Sequence, residues 1–267
     1  MPERGSRLRF RTVRDPSDPV IPEAHRLLRR IFTTEELVRR RDLREAIVER
    51  NRGFLGDLNW HMIVAERDGR LVGVATVSYI GELNIGVVGY LAVRPGERAG
   101  GLGLKLRARL MRLAHHDALR RWRRPLRALV GEVRADNPWL RHLVQYHDAL
   151  ALDFPYWQPC LDGRARPVRL VLYFQPISRD RQSLGADEVR RLVYTIWRRL
   201  YRVARPMNDP AFRRMLKAIE GRRTIGSKLP PALRAPSGTA RRTRRPTSSR
   251  RPKSSPRTAG RSRRRSS

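Results

Sequence analysis

Apolar residues recur at two spacings along the first 176 residues, and the two spacings alternate. Residues 8–13 alternate apolar and polar positions, as a half-buried strand does. Residues 22–32 have helical spacing and predict a first helix. Thr33 or Thr34, each followed closely by glutamates, predicts the start of a second helix that continues to Ile47.

A hairpin and a third strand follow the two helices. Residues 61–66 and 71–79 are apolar, and they flank the turn 67–70, whose Asp-Gly pair is typical of a tight hairpin. A third strand is predicted over 85–93. It leads into a Gly-rich turn and then a helix. The apolar face of that helix consists of Leu102, Leu106, Leu110 and Leu113.

The patterns after this helix predict two more strands and three more helices. The strands are residues 126–133 and 168–175, and helices are predicted over 187–203 and 209–219. A further helix is expected to start at Asn137-Pro138. Its core spacing places Trp139, Leu143, Tyr146 and Leu150 on one face.

The chain divides into a domain, a helical extension and a tail. Residues 1–176 contain the alternating strands and helices, and 177–220 add helices that pack on or beside them. Large apolar residues almost vanish after Ile225, so we expect the folded part to end near residue 220. Residues 221–267 are rich in Arg, Ser and Pro, and a segment that buries so little apolar surface is predicted to be disordered.

The net charge of +34 favours a polyanionic partner, but the charge has a second explanation. Residues 221–267 hold 16 Lys or Arg and no acidic residue, which leaves +18 on residues 1–220. Only four of the 59 basic residues are Lys, and such an excess of Arg also arises from a GC-rich genome. Selection for an anionic partner and this compositional origin both stay open.

The cysteine count and the length of the apolar runs bear on where the protein is located in the cell. The single cysteine, Cys160, excludes an internal disulfide and offers no metal cluster, so no metal is expected. The segment Met1–Phe10 is charged and lacks the apolar stretch of a secretion signal. No apolar run is long enough to span a membrane. We therefore expect a soluble, cytoplasmic protein without a membrane partner.

The turn from Arg98 to Gly103 is the segment that carries chemistry. A strand enters it and a helix leaves it, and the first N–H groups of a helix have no internal partner and carry partial positive charge. Glycines at 100, 101 and 103 keep side chains away from an approaching phosphate, and Arg98 adds a charged donor. Leu106 stands where a dinucleotide-binding fingerprint needs glycine, and no Gly-Lys-Ser/Thr is present for an ATP-type loop.

With Arg98-x-x-Gly101-x-Gly103 after a strand that ends in Val93-Arg94-Pro95, the sequence resembles the GNAT superfamily of acyl-CoA-dependent N-acyltransferases. The order of strands and helices over about residues 8–176 also matches. The resemblance implies an α/β GNAT fold with a mixed, mostly antiparallel sheet, a splayed central strand and flanking helices. It further implies acetyl-CoA as the acyl donor and an amine of unknown identity as the acceptor.

The resemblance also implies which residues hold the cofactor. The backbone of the third strand would pair with the pantetheine arm, and the turn would bind the pyrophosphate. Asn137 would either hydrogen-bond a cofactor amide or only cap its own helix. The candidate cofactor-binding residues are Leu91, Ala92, Val93, Arg98, Ala99, Gly100, Gly101, Leu102, Gly103, Leu104 and Asn137.

The catalytic residues that the family often has are not found at the matching positions of this sequence. Val87 stands where the family often has a glutamate base, and Ala149 stands where it has a tyrosine acid. Glu132, on the next strand, and Glu82, just before the third strand, are the remaining candidates for the base. Tyr146 lies one helical turn from position 149 and is the candidate acid, although it also fits a core position.

Three functions therefore compete. The chain is an active N-acetyltransferase, or an acyl-CoA-binding protein that has lost catalysis, or a protein that binds nucleic acid nonspecifically through its basic tail. Pro155, Tyr156 and Trp157 can wall an acceptor pocket or belong to the core. The helix over 187–203 can pack on the sheet, cover the acceptor side or mediate a homodimer.

Overall fold

The computed structural model describes residues 7–53, 56–161, 166–178 and 181–234. Within them, the helices are α1 (Val20–Arg29), α2 (Arg40–Asn51), α3 (Leu102–Trp122), α4 (Pro138–Tyr146), α5 (Ala186–Thr195) and α6 (Pro210–Ile219). The strands are β1 (Leu8–Val13), β2 (Leu58–Arg67), β3 (Arg70–Ile80), β4 (Ile85–Val93), β5 (Ala128–Val133), β6 (Leu150–Ala151), β7 (Tyr156–Gln158), β8 (Val168–Pro176), β9 (Ser183–Gly185) and β10 (Thr224–Gly226).

A mixed sheet forms the centre of the molecule. Its strand order is β1-β2-β3-β4-β5-β8-β6, and β7 also pairs with β8. Neighbouring strands are antiparallel except β4 and β5, which are parallel. The predicted fold class, a mostly antiparallel sheet with flanking helices, is confirmed. Asp68 and Gly69 in the β2–β3 turn both have positive φ, as the two central residues of a tight hairpin require.

The sheet opens between β4 and β5. Their pairing covers Ile85–Val88 and Ala128–Gly131, and the carboxyl-terminal halves of both strands then separate. Beside the opening, β4 has one residue more than β3, because Ala75 pairs with Leu91 and Val77 pairs with Val88. This β-bulge bends β4 where the gap begins. The splayed central strand is therefore present.

Helices cover both faces of the sheet. On one face α3 packs against β2, β3 and β4, and α4 packs beside β6. On the other face α1 and α2 cover the half of the sheet near β2, and the carboxyl-terminal helices α5 and α6 cover the half near β5 and β8. The helical extension thus lies on the sheet and shares its core, with Trp197 and Phe212 fully buried.

The predicted start of the second helix was wrong by about six residues. The carboxylate of Glu36 accepts a hydrogen bond from the Thr33 N–H at 2.9 Å, but this contact closes only an isolated turn. The helix begins after Arg39, whose own N–H donates to Asp42 Oδ2 at 2.9 Å. Thr33 and Arg39 are each followed three residues later by a carboxylate that can cap a helix, so the sequence pattern alone does not show which of them starts the helix.

The helix that starts at Asn137 is shorter than predicted. It ends at Tyr146, Asp148 follows with φ of +52°, and Leu150 pairs with Phe174 as part of β6. The buried residues of α4 are Leu140 and Leu143. Tyr146 is 71% exposed, so the expected core position was wrong.

The ordered elements continue past the boundary predicted at residue 220. Strand β10 pairs with β9, and Ile225 within it is fully buried. Leu233 is also buried, in a cluster with residues of α4. The three large apolar residues of this segment, Ile225, Leu229 and Leu233, attach it, because each packs against a core cluster. The rest of the predicted tail, residues 235–267, lies outside the described residues.

Candidate active site

The Gly-rich turn leads into an uncapped helix N terminus. A 3-10 turn spans Pro95–Gly100, and Gly101 then adopts a left-handed conformation with φ of +65° before α3 begins. In the described ranges no side chain caps this end of α3, so its first N–H groups are available to a ligand. A Cβ atom at Gly100 would meet no protein atom within 4 Å. Packing therefore does not explain the glycine at that position.

The free edge of β4 lies directly beside this helix. Beyond Val88 the strand has no partner on its β5 side, so the backbone of Leu91, Ala92 and Val93 borders the gap. A Cβ atom at Gly103 would lie 3.6 Å from the Leu91 side chain and 3.9 Å from that of Val93. The structure thus brings the predicted strand and turn residues together.

The bulge in β4 depends on a glycine and a threonine. The Tyr90 N–H donates to Thr76 Oγ1 at 2.9 Å, which fixes the extra residue. A Cβ atom at Gly89 would lie only 2.8 Å from the same Oγ1. The close approach of the threonine hydroxyl is therefore possible only because residue 89 has no side chain.

A cavity of about 400 Å³ lies on the opposite face of the sheet from α3. It is bounded by α2 and the segment before it, by β2, β3 and β4 at the bulge, and by residues 199–202 after α5. Glu132, Gly89 and Tyr90 line it where the sheet opens. The gap between β4 and β5 therefore connects this cavity with the side of the sheet that carries the N terminus of α3.

Glu132 is the carboxylate at this connection. Its two oxygens accept hydrogen bonds from the hydroxyl groups of Tyr156 and Tyr201. Burial raises the pKa of Glu132 to about 7, and the two hydroxyl donors act against that rise. A carboxyl group with this pKa exchanges a proton near neutral pH, as a general base must.

Tyr90 stands next to Glu132 at the bulge. Its hydroxyl accepts a hydrogen bond from the Val38 N–H at 2.9 Å and donates one to the Glu36 carbonyl at 3.0 Å. Burial raises the pKa of Tyr90 well above its usual value. Tyr90 thereby joins the segment before α2 to the edge of the opening and stays protonated.

The other two candidate catalytic residues lie apart from Glu132. Glu82 precedes β4, at the closed end of the β4–β5 pair, and contacts Arg191 and Arg199 at 3.6 and 3.7 Å. Those arginines give it a structural role in attaching the α5 region, and it does not line the cavity. Tyr146 is exposed at the end of α4 with its ring 5.1 Å from that of His142. Its role as the acid stays a prediction.

Asn137 caps α4. Its side-chain oxygen accepts a hydrogen bond from the Trp139 N–H at 3.0 Å. Of the two roles that the sequence left open, the structure contains the capping role. Contact with a cofactor amide stays a prediction.

A buried arginine at the opening was not predicted from the sequence. Arg107 on α3 is 3% exposed, and its Nε and Nη2 atoms have no hydrogen-bond partner within the described part of the chain. Its side chain contacts the hydroxyl of Tyr173, which lies so close over Gly131 that a Cβ atom there would be 2.5 Å away. Because Gly131 is the last residue of β5 that pairs with β4, Arg107 lies at the apex of the gap.

Other residues of the site were also missed. An isolated glycine inside a strand pattern, as at Gly89, is a known sign of a bulge and was available in the sequence. Tyr156, by contrast, was left between pocket and core, and Tyr201 was assigned only to an amphipathic helix. Their contacts with Glu132 join residues 24 and 69 positions away, which no local pattern reports.

Comparison with known proteins agrees with this fold. Residues 21–144 match the acetyltransferase (GNAT) family. A putative GNAT acetyltransferase from Bacteroides thetaiotaomicron superimposes with a TM-score of 0.54 at 18% identity, covering 73% of this chain and 99% of that one. A putative acetyltransferase from Salmonella typhimurium, solved with acetyl-CoA, gives 0.45 at 19% identity, covering 65% and 95%. No curated protein sequence matches the chain.

The family match supports an acyl-transferring enzyme. The chain contains a domain of the GNAT acetyltransferase family, whose members use acetyl-CoA. No helix among the described residues is long and apolar enough to cross a membrane.

Proposed function

We propose that this protein transfers the acetyl group of acetyl-CoA to a primary amine, with Glu132 as the general base. The observation that carries the proposal is the position of Glu132, with a pKa of about 7, where the cavity meets the gap between β4 and β5. An alkyl amine is mostly protonated at neutral pH and must lose a proton to attack. A carboxylate at the mouth of the gap removes that proton.

The residues around the gap fit acetyl-CoA. The uncapped N terminus of α3, from Leu102 onward, suits the pyrophosphate, and Arg98 beside it adds positive charge. The unpaired edge of β4 suits the pantetheine amides. Arg107 offers two buried donor nitrogens that have no partner among the described residues, and a buried donor of this kind is costly unless a ligand or water satisfies it.

Each face of the sheet has its own part in the reaction. Bound acetyl-CoA supplies a thioester carbonyl that is open to attack. The cavity face positions the amine, and Glu132 accepts the proton that the amine must lose before it attacks. As the nitrogen bonds to the thioester carbon, the carbon–sulfur bond breaks, and coenzyme A leaves as a thiolate that is protonated from solvent. Backbone N–H groups on the free edge of β4 stabilise the negative charge that develops on the carbonyl oxygen. Val87, where the family often has its base, lies buried in the core, so Glu132 takes that role from the neighbouring strand.

Cofactor binding can be tested with two glycine variants. Gly103→Glu places a carboxylate at the N terminus of α3 without requiring an unusual backbone conformation. We expect acetyl-CoA to raise the melting temperature of the wild type and not that of Gly103→Glu. Gly96→Glu, where a side chain meets open space in the preceding turn, is the control and should keep the shift. No shift for the wild type at millimolar acetyl-CoA would contradict the cofactor assignment.

Turnover separates an enzyme from a catalytically silent binder. Release of free thiol from acetyl-CoA is followed across a panel of primary amines. An amine-dependent rate that falls at least a hundredfold in Glu132→Gln supports the proposal, because a positioned base contributes about 10²–10⁴-fold. A thermal shift with acetyl-CoA but no amine-dependent thiol release would identify a binder without catalysis.

A further inference from the structure

The lining of the cavity is acidic, although the protein as a whole is strongly basic. The chain has 59 basic and 25 acidic residues. Yet the lining of the cavity has more carboxylates than cations. The carboxylates are Glu36, Asp42, Glu45, Glu49 and Glu132, and the cations are Arg199 and Arg202.

Three of these carboxylates form a stripe along α2. Asp42, Glu45 and Glu49 lie three and four residues apart, which places them on one face of the helix, and that face borders the cavity. We call these three residues the α2 stripe. Neighbouring carboxylates repel each other, so such a stripe favours a cation beside it.

Arg202 shows that the α2 stripe holds a cation. Both of its terminal nitrogens hydrogen-bond Glu49, one of them at 2.9 Å. The hydrogen bonds that Arg202 donates to Glu49 raise the pKa of Arg202, and the charges of Glu49, Glu45 and Asp42 act in the same direction.

Most of the other charges of the cavity lining have partners: Glu36 lies 4.0 Å from Arg134, and Asp42 lies 3.5 Å from Arg41. Arg199 contacts Asp57 and Glu82, which lie outside the cavity lining. Among the described residues, no Arg or Lys lies within ion-pair distance of Glu45 or Glu132. The cavity therefore has a carboxylate available at the opening of the sheet and a second one on the α2 stripe.

The aromatic lining and the volume of the cavity limit which ligand it can hold. Phe32, Trp60 and Tyr90 line the cavity, and aromatic faces attract alkyl ammonium groups. A volume of about 400 Å³ accommodates a small molecule of about a dozen non-hydrogen atoms, at ~30 Å³ each. This volume is at the lower end of the range for ligand sites.

We propose that the acceptor is a small aliphatic diamine or polyamine. One amine meets Glu132 at the opening and is acetylated, while a second ammonium group binds the α2 stripe through Glu45. This inference rests on the proposed function, because it treats the cavity as the acceptor site. It adds that recognition depends on a charge that takes no part in the reaction.

Matched amines test the second charge. Butylamine, 4-amino-1-butanol and 1,4-diaminobutane have the same chain length and differ only at the far end. We expect kcat/KM for the diamine to exceed that of the other two by at least tenfold. Equal values for all three would overturn the inference. So would a higher kcat/KM for a short peptide with a free N-terminal amine.

A charge variant locates the second ammonium. Glu45→Gln should lower the preference for the diamine over butylamine about tenfold, chiefly through KM for the diamine. Glu220→Gln, an exposed glutamate after α6, is the matched control and should keep the preference. A preference that is unchanged in Glu45→Gln would place the second charge elsewhere and overturn the assignment to the α2 stripe.

Calorimetry in the presence of CoA separates this inference from the proposed function. Tighter binding of 1,4-diaminobutane than of butylamine, weakened by Glu45→Gln, supports the cation site even if no amine is acetylated. That combination would refute the proposed acetyl transfer alone. Acetylation of all the amines without any preference in binding would leave the proposed function standing and refute the diamine.

Discussion

The carboxylate of Glu132 lies where burial and hydrogen bonding act in opposite directions on its pKa. Burial disfavours the charged form, and the hydroxyl groups of Tyr156 and Tyr201 favour it. The balance leaves the group able to change charge near neutral pH. Its two tyrosine donors have strongly raised pKa values themselves and remain protonated.

Activity should follow the charge of Glu132. The carboxyl group is neutral below its pKa of about 7 and accepts a proton only above it. We therefore expect kcat/KM to rise with pH through an apparent pKa near 7. In Glu132→Gln this step should disappear together with most of the activity. Glu82→Gln, a glutamate outside the cavity, should retain the step. A wild-type profile without a rise between pH 6 and 8 would contradict the role of Glu132.

Removing one hydroxyl donor should shift the same step. Tyr201→Phe leaves the carboxylate with one hydrogen bond fewer, and because that bond lowers the pKa of Glu132, its loss raises it. The midpoint of the pH profile should move to higher pH, while activity well above the midpoint is largely retained. A midpoint at or below that of the wild type would show that the hydroxyl does not tune this group.

For individual residues, the sequence predicted those whose role depends on neighbours in the chain and did not predict those whose role depends on distant contacts. Gly101 and Gly103 were identifiable because a helix N terminus and its glycines are adjacent in the chain. Glu132 was named as a candidate base, but its surroundings were not predicted, because strand alternation fixes a face of the sheet and not what covers that face. Arg107 was missed because one arginine in a helix rich in arginine carries no signal of its own burial.

Among the elements, β4 contributes most to the site. Its bulge and its free edge arise from one extra residue, and the pairing with β5 ends at Val88. The strand itself was predicted with its observed bounds, since its apolar pattern is uninterrupted. The start of α2 was not, because two capping-type signals compete over seven residues and only tertiary contacts decide between them.

Filling the bulge should impair both folding and activity. In Gly89→Ala the added Cβ lies 2.8 Å from Thr76 Oγ1, so the strand or the hydroxyl must move. We expect a loss of about 1–3 kcal/mol in the free energy of unfolding, as for other overpacked sites, and a lower kcat/KM. Gly96→Ala, which meets open space, is the control for chemical denaturation and kinetics. Unchanged values for Gly89→Ala would mean that the bulge accommodates a side chain.

For the whole molecule, the carboxyl-terminal segment completes the core that the sheet begins. One apolar cluster joins β4, β5 and β8 with residues of α5, α6 and β10. The family match ends at residue 144, before β8, α5, α6 and β10. The sequence predicted the helices from their periodicity. It did not predict that residues 221–234 join the fold, because three large apolar residues are few in a segment rich in basic residues and proline.

Two truncations should differ in stability. A chain ending at residue 220 loses Ile225 and Leu233, which are 0% and 4% exposed, whereas one ending at residue 234 keeps them. Each buried aliphatic side chain contributes about 1.5–3 kcal/mol. We expect the shorter chain to melt several degrees lower in a thermal scan, and the longer one to match the full-length protein. Equal melting temperatures for all three would show that residues 221–234 do not stabilise the fold.

The basic segment beyond residue 234 allows a separate measurement. If residues 235–267 bind polyanions, as their composition predicts, the full-length chain should bind duplex DNA more tightly than residues 1–234 at low salt. The difference should shrink as salt rises, because the contacts displace counterions. Equal affinities of the two chains at low salt would exclude this segment as the binding element.

The contact between Tyr201 and Glu132 has a consequence for how the enzyme is made. The ribosome completes the glutamate 69 residues before the tyrosine that holds it. A nascent chain that already contains the Gly-rich turn and the sheet up to β5 still lacks both hydroxyl groups and the helices that enclose the cavity. Catalytic competence is therefore acquired late in synthesis. A partly made or proteolytically shortened chain can retain the cofactor turn without an assembled catalytic base.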